Sequence, residues 1–272
     1  MPLSDSSSPI ETLLEIMSRL RDPDSGCPWD IEQSFATIAP HTIEEAYEVA
    51  EAIADNDMEE LKSELGDLMF QVVFYAQMAK EDGAFDFNSV VEAINAKMIH
   101  RHPHVFGDKT IDNASAQLVA WEETKAAERA AKAAKSDRPD SVLGGVSKAL
   151  PALSRAIKLQ NRAARVGFDW PDTAPVYDKI AEELAEFKVE VEQNSPQERL
   201  EDEFGDLLFA VVNLGRHLGV DAENSLASTN RKFTRRFERI EEILHEDGKT
   251  PAQSNLDEMD ALWRRAKTEE KK

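Results

Sequence analysis

Two sets of acidic residues in this sequence have a spacing that could bind a divalent metal ion. They are Glu45, Glu48, Glu64 and Asp67, and Glu183, Glu186, Glu203 and Asp206. Each set consists of two pairs whose members are three positions apart. Residues three apart share one face of an α-helix, so two neighbouring helices could turn their pairs toward each other. Oxygen ligands favour hard ions, and the pattern therefore predicts an Mg²⁺ site, with Mn²⁺ as a possible substitute.

The same residues also have structural explanations that involve no metal. Paired glutamates on a helix commonly form a solvated face, and Thr42 with Glu45 could be a helix-capping box. Capping cannot explain Glu183, which is predicted well inside a helix. A di-iron carboxylate bundle is discounted, because only Glu242 is followed three positions later by a histidine and this motif has no counterpart in the first half.

The acidic pattern belongs to a long internal repeat. Residues 59–78 and 198–217 match without a gap at nine of twenty positions. Glu-Glu-x-x-Glu precedes both segments, and Gly66 and Gly205 stand directly before the two aspartates. A glycine inside a helix costs roughly 1 kcal/mol relative to alanine. Its presence in both copies suggests close helix packing or close approach of a ligand.

The elements that carry these residues are predicted to be helices. Apolar residues recur at helical spacing, and no stretch alternates with period two. We predict an all-α fold with two tandem domains, residues 1–138 and 139–272, separated near the helix-breaking segment SDRPDS.

Composition excludes several classes of function. The formal net charge is -21, with 53 acidic and 32 basic residues, which argues against nucleic acid or an anionic membrane as a partner. The single cysteine, Cys27, allows no internal disulfide and suggests a reducing compartment. No signal peptide or membrane-spanning stretch is evident, so we expect a cytoplasmic protein.

Several motifs in both halves resemble the MazG family of the all-α nucleoside triphosphate pyrophosphatases. They are GCPWD (26–30), RHPHVFGD (101–108), RVGFDWP (165–171) and the two acidic sets. The resemblance implies two MazG-like helical-bundle domains, a homodimer, and Mg²⁺-dependent hydrolysis of (deoxy)nucleoside triphosphates to monophosphate and pyrophosphate with broad base specificity. It also implies that both acidic sets are metal ligands and that the second half is the main catalytic unit.

The resemblance further implies a substrate site in the second half. Lys232 and Arg236 would hold phosphates, and Trp263 would stack on the base, with Lys267 in the same substrate-binding set. Glu182 is our candidate for the base that accepts the proton of the attacking water. A solvated basic patch for Lys232 and Arg236, and core or dimer packing for Trp263, are the structural alternatives.

Two other functions remain compatible with the residues. One is a related hydrolase of narrower substrate range, similar to a dUTPase or a phosphoribosyl-ATP pyrophosphatase. The other is a non-catalytic helical adaptor or nucleotide sensor, in which metal binding contributes only stability.

Overall fold

The computed structural model describes residues 8–108 and 141–270, together with Asn113, Gln117, Trp121 and Thr124. Helices and connecting turns make up these residues, with no β-strand among them, so the predicted all-α class is confirmed. The chain divides into two units, Met1–Ala126 and Ala127–Lys272. The predicted boundary at residues 138 and 139 lies outside the described residues.

The first unit places its acidic residues on two long helices. Its described helices are α1 (Pro9–Leu20), α2 (Pro28–Glu32), α3 (Phe35–Asp55), α4 (Met58–Glu81), α5 (Phe87–Arg101) and α6 (Pro103–Phe106). Asn56 ends α3 in the left-handed region, with φ of 57°, and the side chain of Asp57 caps α4. This short connection returns the chain at once, so α3 and α4 pack as antiparallel neighbours.

Large apolar side chains fill the interior of the first unit. Phe74 and Val73 of α4 pack with Met17 of α1 and Ile38 of α3, and each of these side chains is almost completely buried. This packing fixes the faces that α3 and α4 turn toward each other. Because the acidic pairs lie beside the apolar stripe of each helix, the same packing also determines the direction in which these pairs point.

The second unit repeats the arrangement. Its described elements are α7 (Ala152–Ala164), α8 (Ala174–Glu192), α9 (Gln197–His217), α10 (Ala222–Glu246), a 3₁₀ turn (Pro251–Gln253) and α11 (Leu256–Glu269). Helices α8 and α9 form the most extensive packing contact, as α3 and α4 do in the first unit. None of the helices described has an apolar stretch long enough to span a membrane.

Candidate metal centres and the adjoining pocket

The second unit brings three of its four predicted metal ligands together. Carboxylate oxygens of Glu183 on α8 and of Glu203 and Asp206 on α9 all lie within 4.8 Å of one another. Glu183 and Glu203 are only 5% and 9% exposed, whereas Asp206 is exposed. Glu186 is exposed beside this group, and its pKa is raised by desolvation and by the negative charge of Glu183. Such a concentration of carboxylates calls for a cation.

Two basic side chains form ion pairs with the buried carboxylates. Lys179 Nζ lies 2.7 Å from Glu183 and 2.8 Å from Glu182, and Arg199 Nη2 lies 2.5 Å from Glu203. Hydrogen bonds to Glu182 and Glu183 raise the pKa of Lys179. Each cation stands four positions before the buried carboxylate that it contacts. Sequence reasoning missed both residues, although this spacing is a known signal for ion pairs on helices.

The first unit holds a similar cluster without such cations. Carboxylate oxygens of Glu45, Glu48 and Glu64 lie within 4.8 Å of one another. Desolvation and the charges of Asp67 and Glu48 raise the pKa of Glu45, and desolvation and Glu48 raise that of Glu64. No lysine or arginine in the described ranges forms an ion pair with these four residues. The repeat puts a histidine and a glutamate at the positions of the second unit's two cations.

The capping explanation for the first acidic set is wrong. Helix α3 begins at Phe35, with Ser34 as its cap, so both Thr42 and Glu45 lie in the helix interior. The hydroxyl of Thr42 instead lies 2.8 Å from the hydroxyl of Tyr75 on α4. Glu45 is therefore free of a capping role and faces the carboxylate cluster.

The paired glycines do not serve close packing within their own unit. A methyl group built on Gly66 or Gly205 would meet no described atom within 4 Å beyond its own helix. This open space agrees better with close approach of a ligand than with close helix packing as the reason for the two glycines.

The residues predicted to bind substrate lie on the last two helices. The guanidinium of Arg236 on α10 lies 5.4 Å from the ring centre of Trp263 on α11 and 2.7 Å from Glu270. Lys232 precedes Arg236 by four positions on α10, and Lys267 is exposed on α11. Within the described part of the chain, none of these four residues contacts the carboxylates of the second cluster through a hydrogen bond or an ion pair. Glu182 is close to that cluster, since Lys179 bridges it to Glu183.

A cavity of about 660 Å³ opens beside the second cluster. Glu183 and Asp206 line one side, so the cavity and the candidate metal centre are continuous. Phe168, Trp170 and Phe209 supply aromatic walls, and the remaining lining comes from α7, α8 and α9 together with Leu143, Gly167 and Asp169 outside the helices. This size and mostly apolar lining are typical of sites for small organic ligands.

Comparison with known proteins agrees with the repeated architecture. The family model for the MazG nucleotide pyrophosphohydrolase domain matches twice, at residues 33–106 and 175–240, and each match contains one acidic set. A nucleoside triphosphate pyrophosphohydrolase of Escherichia coli K12 is 52% identical over 262 residues, covering 96% of this chain and 98% of that protein. A nucleoside triphosphate pyrophosphohydrolase/pyrophosphatase MazG of Thermotoga maritima is 45% identical over 257 residues, covering 94% and 95%.

Proposed function

We propose that this chain, which belongs to the MazG nucleotide pyrophosphohydrolase family, hydrolyses nucleoside triphosphates to monophosphates and pyrophosphate in its second unit. The observation that carries this assignment is the continuity between the carboxylates of Glu183, Glu203 and Asp206 and the cavity beside them. A nucleoside triphosphate bound there would place its nucleoside in the mostly apolar cavity and its phosphates near the carboxylates. The family supplies the reaction, and this geometry supports its location.

The donor set of the second cluster fits Mg²⁺, with Mn²⁺ as a possible substitute. Every candidate ligand is a carboxylate oxygen, and two of the carboxylates are buried. Glu183, Glu186, Glu203 and Asp206 would hold the metal. When bound, it would activate water and offset the charge of the phosphates. Lys179 and Arg199, which form ion pairs with Glu183 and Glu203, would have to release these carboxylates before they could serve as ligands.

The remaining predicted site residues are proposed to act on the substrate. Lys232 and Arg236 would hold the phosphates of the leaving pyrophosphate by charge-assisted hydrogen bonds. Arg236 would first have to release Glu270. Glu182 is our candidate for the base, and the proximity of its carboxylate to Lys179 keeps it at the edge of the cluster. Trp263 and Lys267 remain proposed substrate contacts.

The contrast between the two units supports the second as the catalytic one. In the gapless repeat of α4 and α9, Phe74 corresponds to Asn213 and Gln71 corresponds to Ala210. All four residues are buried, but only Asn213 and Ala210 line the cavity of the second unit, whereas Phe74 packs in the core of the first. We therefore propose that the first unit keeps a metal site without an adjoining nucleoside pocket. Its metal would contribute to structure or regulation.

A homodimer is proposed on the basis of exposed apolar surface. Large apolar side chains on α8 and α9 remain exposed in the single chain, which marks an interaction surface. They are Leu184, Val189, Phe204, Leu208 and Val211. A second copy of the chain is the partner that the family resemblance implies. Nucleic acid is not proposed as a partner, and a cytoplasmic location remains a prediction.

Pyrophosphate release from the common ribo- and deoxyribonucleoside triphosphates tests the assignment. The wild type would be compared with Glu203→Gln and with its matched control in the repeat, Glu64→Gln, each with Mg²⁺ and with EDTA. We expect loss of activity in Glu203→Gln and retention in Glu64→Gln. Equal losses would mean two working sites, and unchanged activity in both variants would contradict the assignment of the carboxylates.

A further inference from the structure

We propose that the cavity beside the second carboxylate cluster receives the nucleobase, and that Gln160 Oε1 accepts a hydrogen bond from an N–H group of that base. This inference rests on the proposed triphosphate hydrolysis in the second unit. It assigns a specificity-determining role to a residue of α7, a helix that carries none of the predicted metal or phosphate contacts.

The side chain of Gln160 is buried with an acceptor left over. It is 7% exposed, and its Nε2 donates to the backbone carbonyl of Phe209 at 2.9 Å. This bond fixes the orientation of the amide, because only the nitrogen can donate to a carbonyl. Oε1 is buried and has no hydrogen-bond partner among the described residues. Since an unpaired buried acceptor is costly, its position on a ligand-sized cavity indicates that a ligand supplies the donor.

A second amide of the cavity offers a complementary donor. Asn213 is 7% exposed and lines the same cavity. Its Oδ1 accepts from Nε of Arg216 at 2.8 Å, so the amide nitrogen is the atom left for a ligand, and it donates to no described residue. Asn213 follows Phe209 by four positions on α9, which puts it one helical turn from the carbonyl that holds Gln160. Both amides line the same cavity, where they offer one acceptor and one donor to a ligand.

Arg216 connects this pair to the rim of the cavity. The same guanidinium that fixes Asn213 also forms an ion pair with Asp169, which directly precedes Trp170 in the wall. The orientation of the amide and the position of the aromatic wall are therefore set by one side chain. A site held in this way is organised before the ligand arrives.

Nucleobases have the chemistry that this pair of amides would recognise. The pairing edge of adenine or cytosine carries an amino donor beside a ring acceptor, and that of guanine, uracil or thymine carries a ring N–H beside a carbonyl. Aromatic walls can stack on any of them. The cavity therefore suits every common base, and it disfavours a base from which the N–H donor has been removed.

The test uses ATP and purine riboside triphosphate, which lacks only the 6-amino group. Pyrophosphate release from both is measured, and binding of their α,β-methylene analogues is measured in parallel by calorimetry. The proteins are the wild type, Gln160→Met and Asn213→Asp. In the wild type we expect ATP to be preferred about tenfold in kcat/KM and in Kd, the value of one neutral hydrogen bond.

The two variants are expected to respond differently. Gln160→Met should bind and hydrolyse ATP about tenfold less well, with purine riboside triphosphate unchanged, so that the preference disappears. The unchanged analogue also shows that the variant is folded. Asn213→Asp keeps the acceptor for Arg216 and loses the donor. Asn213→Asp should therefore weaken the binding and hydrolysis of both nucleotides to the same extent, so that the preference for ATP is retained.

Three outcomes would overturn the inference: equal binding of the two nucleotides by the wild type, equal losses for both in Gln160→Met, or no change in that variant. Failure of the proposed function looks different. In that case the wild type would release no pyrophosphate from any triphosphate, while the binding preference would still confirm or refute the role of Gln160.

Discussion

Replacing Lys179 by methionine should destabilise the second unit, because the buried carboxylate of Glu183 would then lose its ion-pair partner. Lys179 Nζ lies 2.7 Å from Glu183, whose side chain is among the least exposed acidic groups described. Methionine keeps the length of the side chain and its apolar contacts but removes the charge. Lys188→Met on the same helix is the matched control, because Lys188 pairs with Glu192 at the same i,i+4 spacing on an open surface.

The expected magnitudes differ because the burial of the two pairs differs. Breaking a fully buried ion pair costs about 3–5 kcal/mol. Lys179 is 34% exposed, and it is the one described residue that forms an ion pair with Glu183, so we discount the cost to about 2 kcal/mol. Lys188 is 73% exposed and its partner 64%, and such a helical pair is worth about 0.3–0.5 kcal/mol. A difference of about 1.6 kcal/mol corresponds to a shift of roughly 3–6 °C in the melting of a unit of this size.

The assay is calorimetric melting of the full chain, first in excess EDTA and then with saturating MgCl₂. In EDTA we expect Lys179→Met to melt several degrees below Lys188→Met. With Mg²⁺ the gap should close, because a cation bound by Glu183 replaces the missing lysine charge. If both variants melt alike in EDTA, Glu183 does not depend on Lys179. If the gap persists in Mg²⁺, the carboxylate is not a metal ligand.

Further predictions follow from the pocket, the glycines and the loop before α8. Asn213→Phe, which copies the first unit, should abolish pyrophosphate release while raising the melting temperature. Gly205→Ala and its counterpart Gly66→Ala should each add about 1 kcal/mol of stability, measured by denaturant unfolding, but only Gly205→Ala should reduce activity; equal activity in both would exclude ligand approach. The Arg216 hydrogen bond lowers the pKa of Asp169, so its carboxylate stabilises the fold above the unfolded pKa of about 3.9, and that stability is lost as the pH falls through the lower folded pKa. The melting difference between wild type and Asp169→Asn should be present at neutral pH and vanish in strong acid, and a difference independent of pH would contradict this origin.

The sequence predicted those features that depend on local geometry. The three-residue spacing of Glu183 and Glu186 fixes a shared helix face, whatever the rest of the fold does. The repeat located the second helix pair, and the all-α class followed from periodicity. The start of α3 was harder to predict, because Pro40 lies inside the helix and a proline normally indicates a boundary. The helix continues since only one backbone hydrogen bond is lost near its first turns.

The cavity was beyond such reasoning, because its lining comes from residues far apart in the chain. Gln160 belongs to α7 and Asn213 to α9, and each reads in the sequence as an ordinary polar residue of an amphipathic helix. Only the packed structure shows that both amides are buried, are oriented by fixed partners and each keep one group without a hydrogen-bond partner among the described residues. The partners Lys179 and Arg199 had a local signal, but which lysine or arginine faces a buried carboxylate depends on burial that spacing does not determine.

The exchange of Phe74 for Asn213 gives the two copies different tolerance to mutation. Phe74 is packed in a core with Met17, Ile38 and Val73, and a buried phenyl group of this kind contributes about 3–5 kcal/mol. The second unit lacks that contribution, because Asn213 occupies the same helix position and its amide lines the cavity. At this position the second unit therefore has a smaller margin above the threshold below which a domain no longer stays folded. Random substitutions spread over the whole chain should inactivate it more often through the second unit, including substitutions distant from the carboxylates.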